Sequence, residues 1–243
     1  EGVCSMKPSA CDTLRKLLTS DSGCLLAMGC HDALGAKLIE EAGFPVCFFS
    51  GFALSASRLG MPDVGLATYT EMLEAGRAVC EAVNIPVIGD GDTGYGGVLN
   101  VRRTVEGYAR AGFAAITIED QSFPKRCAYA KGVQVVGFEE SVERVKAAVK
   151  ARNEMKERLG IDIIIIARTD SRKDGNIQDP LSEAIRRCIA YREMGADMAY
   201  AEGMQGEDEM RVICQALGDM PCMVAQVETP DSAPLTAEQA QGI

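Results

Sequence analysis

Three times in this 243-residue chain an amphipathic stretch runs into a glycine and then directly into an apolar run: Glu41-Ala42-Gly43-Phe44, Arg110-Ala111-Gly112-Phe113 and Glu193-Met194-Gly195-Ala196. A glycine suits the left-handed position just past a helix, and a short apolar, β-branched run reads as a strand buried on both faces. The runs that follow are Val46 to Phe49, Ala114 to Ile118 and Met198 to Ala201. Cys24 to Met28, Pro86 to Ile88, Ile161 to Ala167 and Cys222 to Val227 are of the same kind, so seven parallel strands are predicted. Between them, Thr68 and Glu71 have capping-box spacing. Met72, Leu73, Gly76, Val79, Cys80 and Val83 share one helical face, as do Val142, Val145 and Val149 in a helix ending near Gly160. No linker rich in Pro, Gly or Ser divides the chain, which predicts one α/β domain over 1–243.

Polar residues cluster at the C-terminal end of nearly every predicted strand. That is where (β/α)8 barrels hold their chemistry, so a TIM-type barrel fits better than an open doubly wound sheet. An eighth strand is not visible. Because the chain starts without Met and stops at Ile243, that strand is expected beyond Ile243 and the barrel C-terminally incomplete. The cytoplasm is the default compartment, with mitochondrion or plastid open because a leader would lie upstream of Glu1.

Composition narrows the function classes. A net charge of −10 disfavours nucleic acid and anionic lipid as partners, and no apolar run approaches the roughly 20 residues of a membrane helix. An anionic substrate would need a local counter-charge or a metal. Of the ten cysteines, Cys24, Cys47, Cys188 and Cys222 sit in apolar runs and read as reduced core residues. Without a CxxC pair, and with His31 as the one histidine, a structural zinc site is disfavoured. His31, just before Asp32-Ala33-Leu34, reads as a capping or core residue.

The third strand ends in Gly89-Asp90-Gly91-Asp92-Thr93-Gly94-Tyr95-Gly96. Two carboxylates in a glycine-rich loop suit a hard cation such as Mg²⁺, acting directly or through waters; the bland alternative is an Asp-Gly turn. The fourth strand ends in Glu119-Asp120, and a buried carboxylate is costly unless paired or metal-bound, which favours the metal. Arg168, after the fifth strand, can hold a carboxylate bidentately or simply pair with a strand-end acid. Glu202 ends the sixth strand, and Ser50-Gly51 the second, offering a hydroxyl and an amide to an anionic oxygen. Cys127 lies in the loop Phe123-Pro124-Lys125-Arg126-Cys127-Ala128-Tyr129. A thiol beside cations ionises more readily than one in an apolar run, so it is the candidate reactive cysteine.

Taken in order, Asp32-Ala33-Leu34, Phe49-Ser50-Gly51, Gly60-Met61-Pro62-Asp63, Gly89 to Gly96, Ile118-Glu119-Asp120, Pro124-Lys125-Arg126-Cys127 and Ala167-Arg168-Thr169-Asp170 resemble the isocitrate lyase and phosphoenolpyruvate mutase superfamily over essentially the whole chain. The resemblance implies a Mg²⁺-dependent barrel, with Mn²⁺ as an alternative ion, assembled as a homotetramer with a terminal helix swapped between subunits beyond the given chain. It implies that Asp90 ligates the metal directly while Asp63, Asp92 and Glu119 hold its waters. Ser50, Gly51 and Arg168 would bind the α-oxyacid end of a small anionic carboxylate, and Glu202 would be a further pocket contact. Lys125, Arg126 and Cys127 would form the mobile catalytic loop of the carbon–carbon lyase branch, with Cys127 as the acid. The implied reaction is retro-aldol cleavage of a 2-methylisocitrate or 2-alkylmalate to a 2-oxoacid and a carboxylate such as succinate. The alternatives are oxaloacetate hydrolysis to oxalate and acetate, phosphoenolpyruvate phosphonomutation, and a non-catalytic metabolite-binding barrel. Two departures stand out. Ala128-Tyr129 replaces the lyases' usual Gly-His, and Ala225-Gln226-Val227-Glu228-Thr229-Pro230 replaces their seventh-strand pattern of Ala-Asn then Glu-Gly-Gly, which would reshape the far wall of the pocket.

Overall fold

The glycines that punctuate the sequence are where the chain reverses. Gly43, Gly112 and Gly195 have φ of 85°, 97° and 91°, a left-handed conformation in which a Cβ is strained. In the computed structural model, which describes residues 9–20, 23–225, 236 and 239–240, these turns connect an alternating series. It runs α1 (Ala10–Leu18), β1 (Ala27–Cys30), α2 (Ala33–Glu41), β2 (Val46–Phe49), α3 (Gly51–Leu54), α4 (Tyr69–Ala82), β3 (Val87–Asp90), α5 (Val98–Ala111) and β4 (Ala115–Glu119). It continues with α6 (Phe138–Leu159), β5 (Ile164–Thr169), α7 (Pro180–Glu193), β6 (Met198–Ala201), α8 (Gly206–Leu217) and β7 (Cys222–Met223). The strands form one parallel sheet in the order β1 to β7, curled around a shared interior as in a TIM-type (β/α) barrel. Among the described residues there are seven strands, and β1 and β7 are each paired on one side only.

Local side-chain caps start the helices, and that of α4 is the one its sequence predicts. Thr68 and Glu71 form the reciprocal capping box of α4, Asp32 caps α2 through the amide of Gly35, and Asp179 caps α7 ahead of Pro180. Each such cap satisfies an otherwise orphaned amide, worth about 1 kcal/mol. Met72, Gly76 and Val79 are buried on α4, and Val145 and Val149 on α6.

Two corrections concern the first strand and the residue that follows it. It spans Ala27–Cys30 rather than Cys24 to Met28, so Cys24 falls in the preceding segment and is exposed, whereas Cys47 and Cys188 are buried and Cys222 is intermediate. Asp32, not His31, is the cap, and His31 stands partly exposed with Nε2 3.7 Å from the Asp32 carboxylate. No disulfide joins the described cysteines, and no described helix is long and apolar enough to cross a membrane. The seventh strand ends early, at Met223, and Gln226 to Pro230 lie outside the described residues.

The apolar residues sort by strand periodicity into two layers. Val46, Ile88, Ala115, Ile164, Ile166, Met198 and Tyr200 point into the barrel, where Cys11 and Leu14 of α1 join them. Cys47, Phe49, Val87, Ile116, Ile118, Ile165 and Ala167 point outward against the helices. In that outer layer Phe113 stacks on Tyr108 with centroids 4.6 Å apart and tilts against Phe49 at 5.9 Å. Gly76 and Gly89 make room for it: a Cβ on Gly76 would come within 2.8 Å of Phe113 Cε2, and one on Gly89 within 2.7 Å of Cδ1. Below the barrel, Arg15 of α1 pairs with Asp197 at 2.9 Å and Asp162 at 3.4 Å, the residues that lead into β6 and β5.

Candidate active site

Side chains alternate across a strand, so the inward series extends to the strand ends. Val46 and Phe48 lead to Ser50, Ile88 to Asp90, Ala115 and Thr117 to Glu119, Ile164 and Ile166 to Arg168, and Met198 and Tyr200 to Glu202. All five end residues line one cavity of about 910 Å³, together with Asp63, Lys125, Arg126, Cys127 and Tyr129. The barrel thus gathers residues dispersed over most of the chain into a single pocket.

Asp90 is held from two sides: its Oδ2 accepts from the Gly51 amide at 3.1 Å and its Oδ1 from the Asp92 amide at 3.1 Å. Tyr108 Oη donates to the Asp90 carbonyl at 2.8 Å, tying the aromatic stack to the strand end. The loop beyond is tightly bent, with Asp92 and Tyr95 at φ of 47° and 60°. Positive φ is unusual for side chains other than glycine, and such strain concentrates at functional sites. Ser50 caps α3, its Oγ accepting from Ala53 N at 3.3 Å.

Lys125 reaches down from the loop into the acids, its Nζ 2.5 Å from Asp63 and 2.6 Å from Asp92. Burial works against its charge, but Asp92, Glu119, Asp90 and Asp63 raise its pKa well above the ordinary lysine value. Burial pushes Asp92 up to about 6, with Lys125 opposing, and raises Glu119 well above the carboxylate range against the pull of Arg168. Arg168 is gripped by Asp170, Nε to Oδ2 at 2.9 Å and Nη2 to Oδ1 at 2.8 Å, and lies 3.3 Å from Glu119 and 3.4 Å from Glu202. Its guanidinium also sits 4.9 Å from the centre of the Tyr200 ring, and Tyr200 donates to Glu202.

A hard cation fits this donor set. Glu119 Oε1 is buried and accepts no hydrogen bond, and carboxylates with waters are what Mg²⁺ prefers. No three described His, Cys, Asp or Glu side chains converge as a ready cluster of direct ligands, which is compatible with one direct carboxylate and others acting through water.

The predicted loop residues differ in placement. Cys127 is half-buried on the cavity wall, its amide donating to the Asp63 carbonyl at 2.9 Å. Arg126 is exposed and its Nη1 donates to the Lys131 carbonyl at 3.3 Å, away from the acids. Ala128 is buried with an ordinary negative φ, so its backbone needs no glycine. The half-exposed Tyr129 lies with Lys173 Nζ 5.3 Å from its ring centre, and burial followed by the Glu202 charge raises its hydroxyl pKa.

Some structural partners carry no sequence signal that names them. Asp120, just past the end of β4, faces the helix side, accepting from Arg187 Nη1 at 2.9 Å, Tyr191 Oη at 3.0 Å, Thr169 Oγ1 at 2.6 Å and the Asp170 amide at 2.9 Å. Period-two alternation from Glu119 assigns Asp120 to the helix side, but its partners on α7 are remote in sequence. Gln121, buried next to it, likewise carries no sequence signal of its role.

The phosphoenolpyruvate phosphomutase family matches residues 14–243 of the chain. A 2,3-dimethylmalate lyase from Eubacterium barkeri is 43% identical over 204 residues, 84% of this chain and 67% of that protein. A chloroplastic carboxyvinyl-carboxyphosphonate phosphorylmutase from Arabidopsis thaliana is 41% identical over 197 residues, 81% of this chain and 56% of that one. A solved structure of oxaloacetate acetylhydrolase with 3,3-difluorooxalacetate superposes with a TM-score of 0.87 at 35% identity, covering 96% of this chain and 77% of that one. The chain therefore spans between about half and two thirds of the length of these two curated relatives.

Proposed function

Because the chain belongs to the phosphoenolpyruvate phosphomutase family, we propose that it is the barrel of a Mg²⁺-dependent carbon–carbon lyase acting on a 2-hydroxy di- or tricarboxylate, of the 2,3-dimethylmalate or 2-methylisocitrate kind. The observation that carries this reading is the thiol: Cys127 faces the same cavity as Asp90, Glu119 and Arg168. A proton donor above an acid-and-arginine floor is what cleavage to a carbanion requires, and phosphoryl migration has no use for it.

Asp90 would hold the metal directly, with Asp63, Asp92 and Glu119 holding its waters. Bound there, Mg²⁺ would supply Lewis-acid polarisation of the substrate's 2-oxygen. Arg168, oriented by its fork to Asp170, would receive the C1 carboxylate through its remaining N–H groups. A base would take the 2-hydroxyl proton as the C2–C3 bonding pair passes to C3, leaving a 2-oxoacid and an enolate-like carboxylate, and Cys127 would deliver a proton to that C3 and become the thiolate. Seating of Lys125 on Asp63 and Asp92 places Cys127 and keeps water from that carbanion. Homotetrameric assembly is part of the same reading.

A lactate-dehydrogenase-coupled assay of 2-oxoacid release tests it, with 2,3-dimethylmalate, 2-methylisocitrate and isocitrate as substrates. Activity is expected with Mg²⁺, lost with EDTA, and lost in Cys127→Ser and Asp90→Ala. Likeness to oxaloacetate acetylhydrolase favours a second reading as a hydrolase. Oxalate released from oxaloacetate, with silence on every 2-hydroxyacid, would move the assignment there.

A further inference from the structure

Gln121 follows the last residues of β4 and is 1% exposed. Its carboxamide grips the backbone of Arg126 on both sides: Nε2 donates to the Arg126 carbonyl at 2.9 Å and Oε1 accepts from the Arg126 amide at 2.9 Å. The side chain thus imitates a β-bridge to the loop, which is flanked there by Lys125 and Cys127. The second Nε2 proton goes to Asp170 Oδ1 at 3.2 Å, the same oxygen that accepts from Arg168 Nη2 at 2.8 Å. Gln121 is itself fixed from behind, where Arg144 Nη1 donates to its carbonyl at 2.8 Å and its backbone forms an antiparallel bridge to Val135.

We infer that Gln121 is a positioning residue that couples the seating of the Lys125–Cys127 loop to the orientation of Arg168. The chemistry demands a carboxamide, which alone among side chains of this length presents a planar donor and acceptor with a second donor to spare. When the loop is seated, Nε2 is committed between Arg126 and Asp170, and Asp170 presents its other oxygen and a shared one to Arg168. When the loop leaves, Oε1 and one Nε2 proton of a buried amide lose their partners on Arg126, and the carboxamide that braces Asp170 is no longer held in place. Coupling between two sites is reciprocal, so an anion on Arg168 should favour the seated loop through Gln121. This rests on the lyase reading for the identity of the anion but not for its measurement.

Limited trypsin digestion read by mass spectrometry tests it without any turnover. Lys125 is 4% exposed, so cleavage after it reports loop departure. Gln121→Glu keeps the acceptor but removes both donors, and Gln121→Met keeps the approximate shape but removes all three bonds. In both, cleavage after Lys125 should rise at least tenfold while cleavage after exposed residues of α6 such as Lys146 stays within twofold of wild type. Saturating oxalate with Mg²⁺ should slow cleavage after Lys125 at least fivefold in the wild type and less than twofold in Gln121→Glu. Unchanged cleavage in the variants, a rise shared by every site, absence of oxalate protection in the wild type, or the same protection factor in both proteins would each overturn the coupling. If the lyase assay is silent on every substrate while the digestion pattern holds, the reaction is misassigned and the coupling stands.

Discussion

The fit of Phe113 against Gly76 and Gly89 can be tested as a thermodynamic cycle. Gly76→Ala places a methyl group within 2.8 Å of Phe113 Cε2, where ordinary contact begins at 3.4 Å. The ring has nowhere to retreat, because Tyr108 stacks on it and Phe49 tilts against it. Overpacking of this kind costs about 1–3 kcal/mol, whereas alanine in place of glycine inside a helix gains about 1 kcal/mol. The net for Gly76→Ala is therefore a loss of about 0–2 kcal/mol. Phe113→Leu removes the far edge of the ring and should cost less than the ~3–5 kcal/mol of truncation to alanine. In that background the clash is gone and only the helix term remains, so Gly76→Ala should stabilise by about 1 kcal/mol. The coupling between the two changes is then about 1–3 kcal/mol, well above the usual error of additivity. Urea unfolding followed by circular dichroism measures all four corners. An identical effect of Gly76→Ala in both backgrounds would show that the helix yields instead of the ring and would refute the packing argument.

Acid stability should depend on Asp162. Burial alone would raise its pKa, but the hydrogen bond from Lys156 and the charge of Arg15 outweigh it and hold the carboxyl below its ordinary value. A depressed carboxyl contributes stability that is full above the unfolded-chain pKa near ~3.9 and lost as pH falls through the folded value. Asp162→Asn should therefore destabilise near neutral pH and flatten the stability profile below about pH 4; a profile parallel to wild type would refute this. Thr68→Ala, which removes the capping box of α4, should cost about 1 kcal/mol in the same urea assay, with little change in the metal dependence of turnover. Cys127→Ser should lose turnover yet bind oxalate with Mg²⁺ as the wild type does in titration calorimetry, because the thiol donates a proton and holds neither ligand.

The parts of this protein legible in its sequence are those fixed by neighbours along the chain. Gly43, Gly112 and Gly195 announce helix ends, Thr68 and Glu71 a helix start, and the apolar runs the strands. The acids at strand ends pointed to the pocket because burying them without function would be costly. The first strand begins later than the sequence predicts because Cys24, Leu25 and Leu26 are as apolar as the strand itself. Only pairing with β2, from Ala27 opposite Val46 to Cys30 opposite Phe49, sets its register. Contacts that cross the fold left no local trace. Nothing in Arg187 or Tyr191 says that they meet Asp120, and nothing in Gln121 says that it holds the Arg126 backbone. Family resemblance supplied Asp63, which lies on an irregular segment where periodicity has no grip.

The alternation of the strands means that sequence neighbours belong to separate circuits. Glu119 and Asp120 are adjacent acids, yet one looks into the cavity and the other is wired to α7 through Arg187 and Tyr191. Arg168 and Thr169 divide in the same way, Thr169 answering to Asp120. The ends of β4 and β5 therefore each have one position open to chemical variation and, beside it, one committed to architecture. A barrel wired like this can exchange its inward residues for a new substrate while the outward partners keep the strand ends where they are.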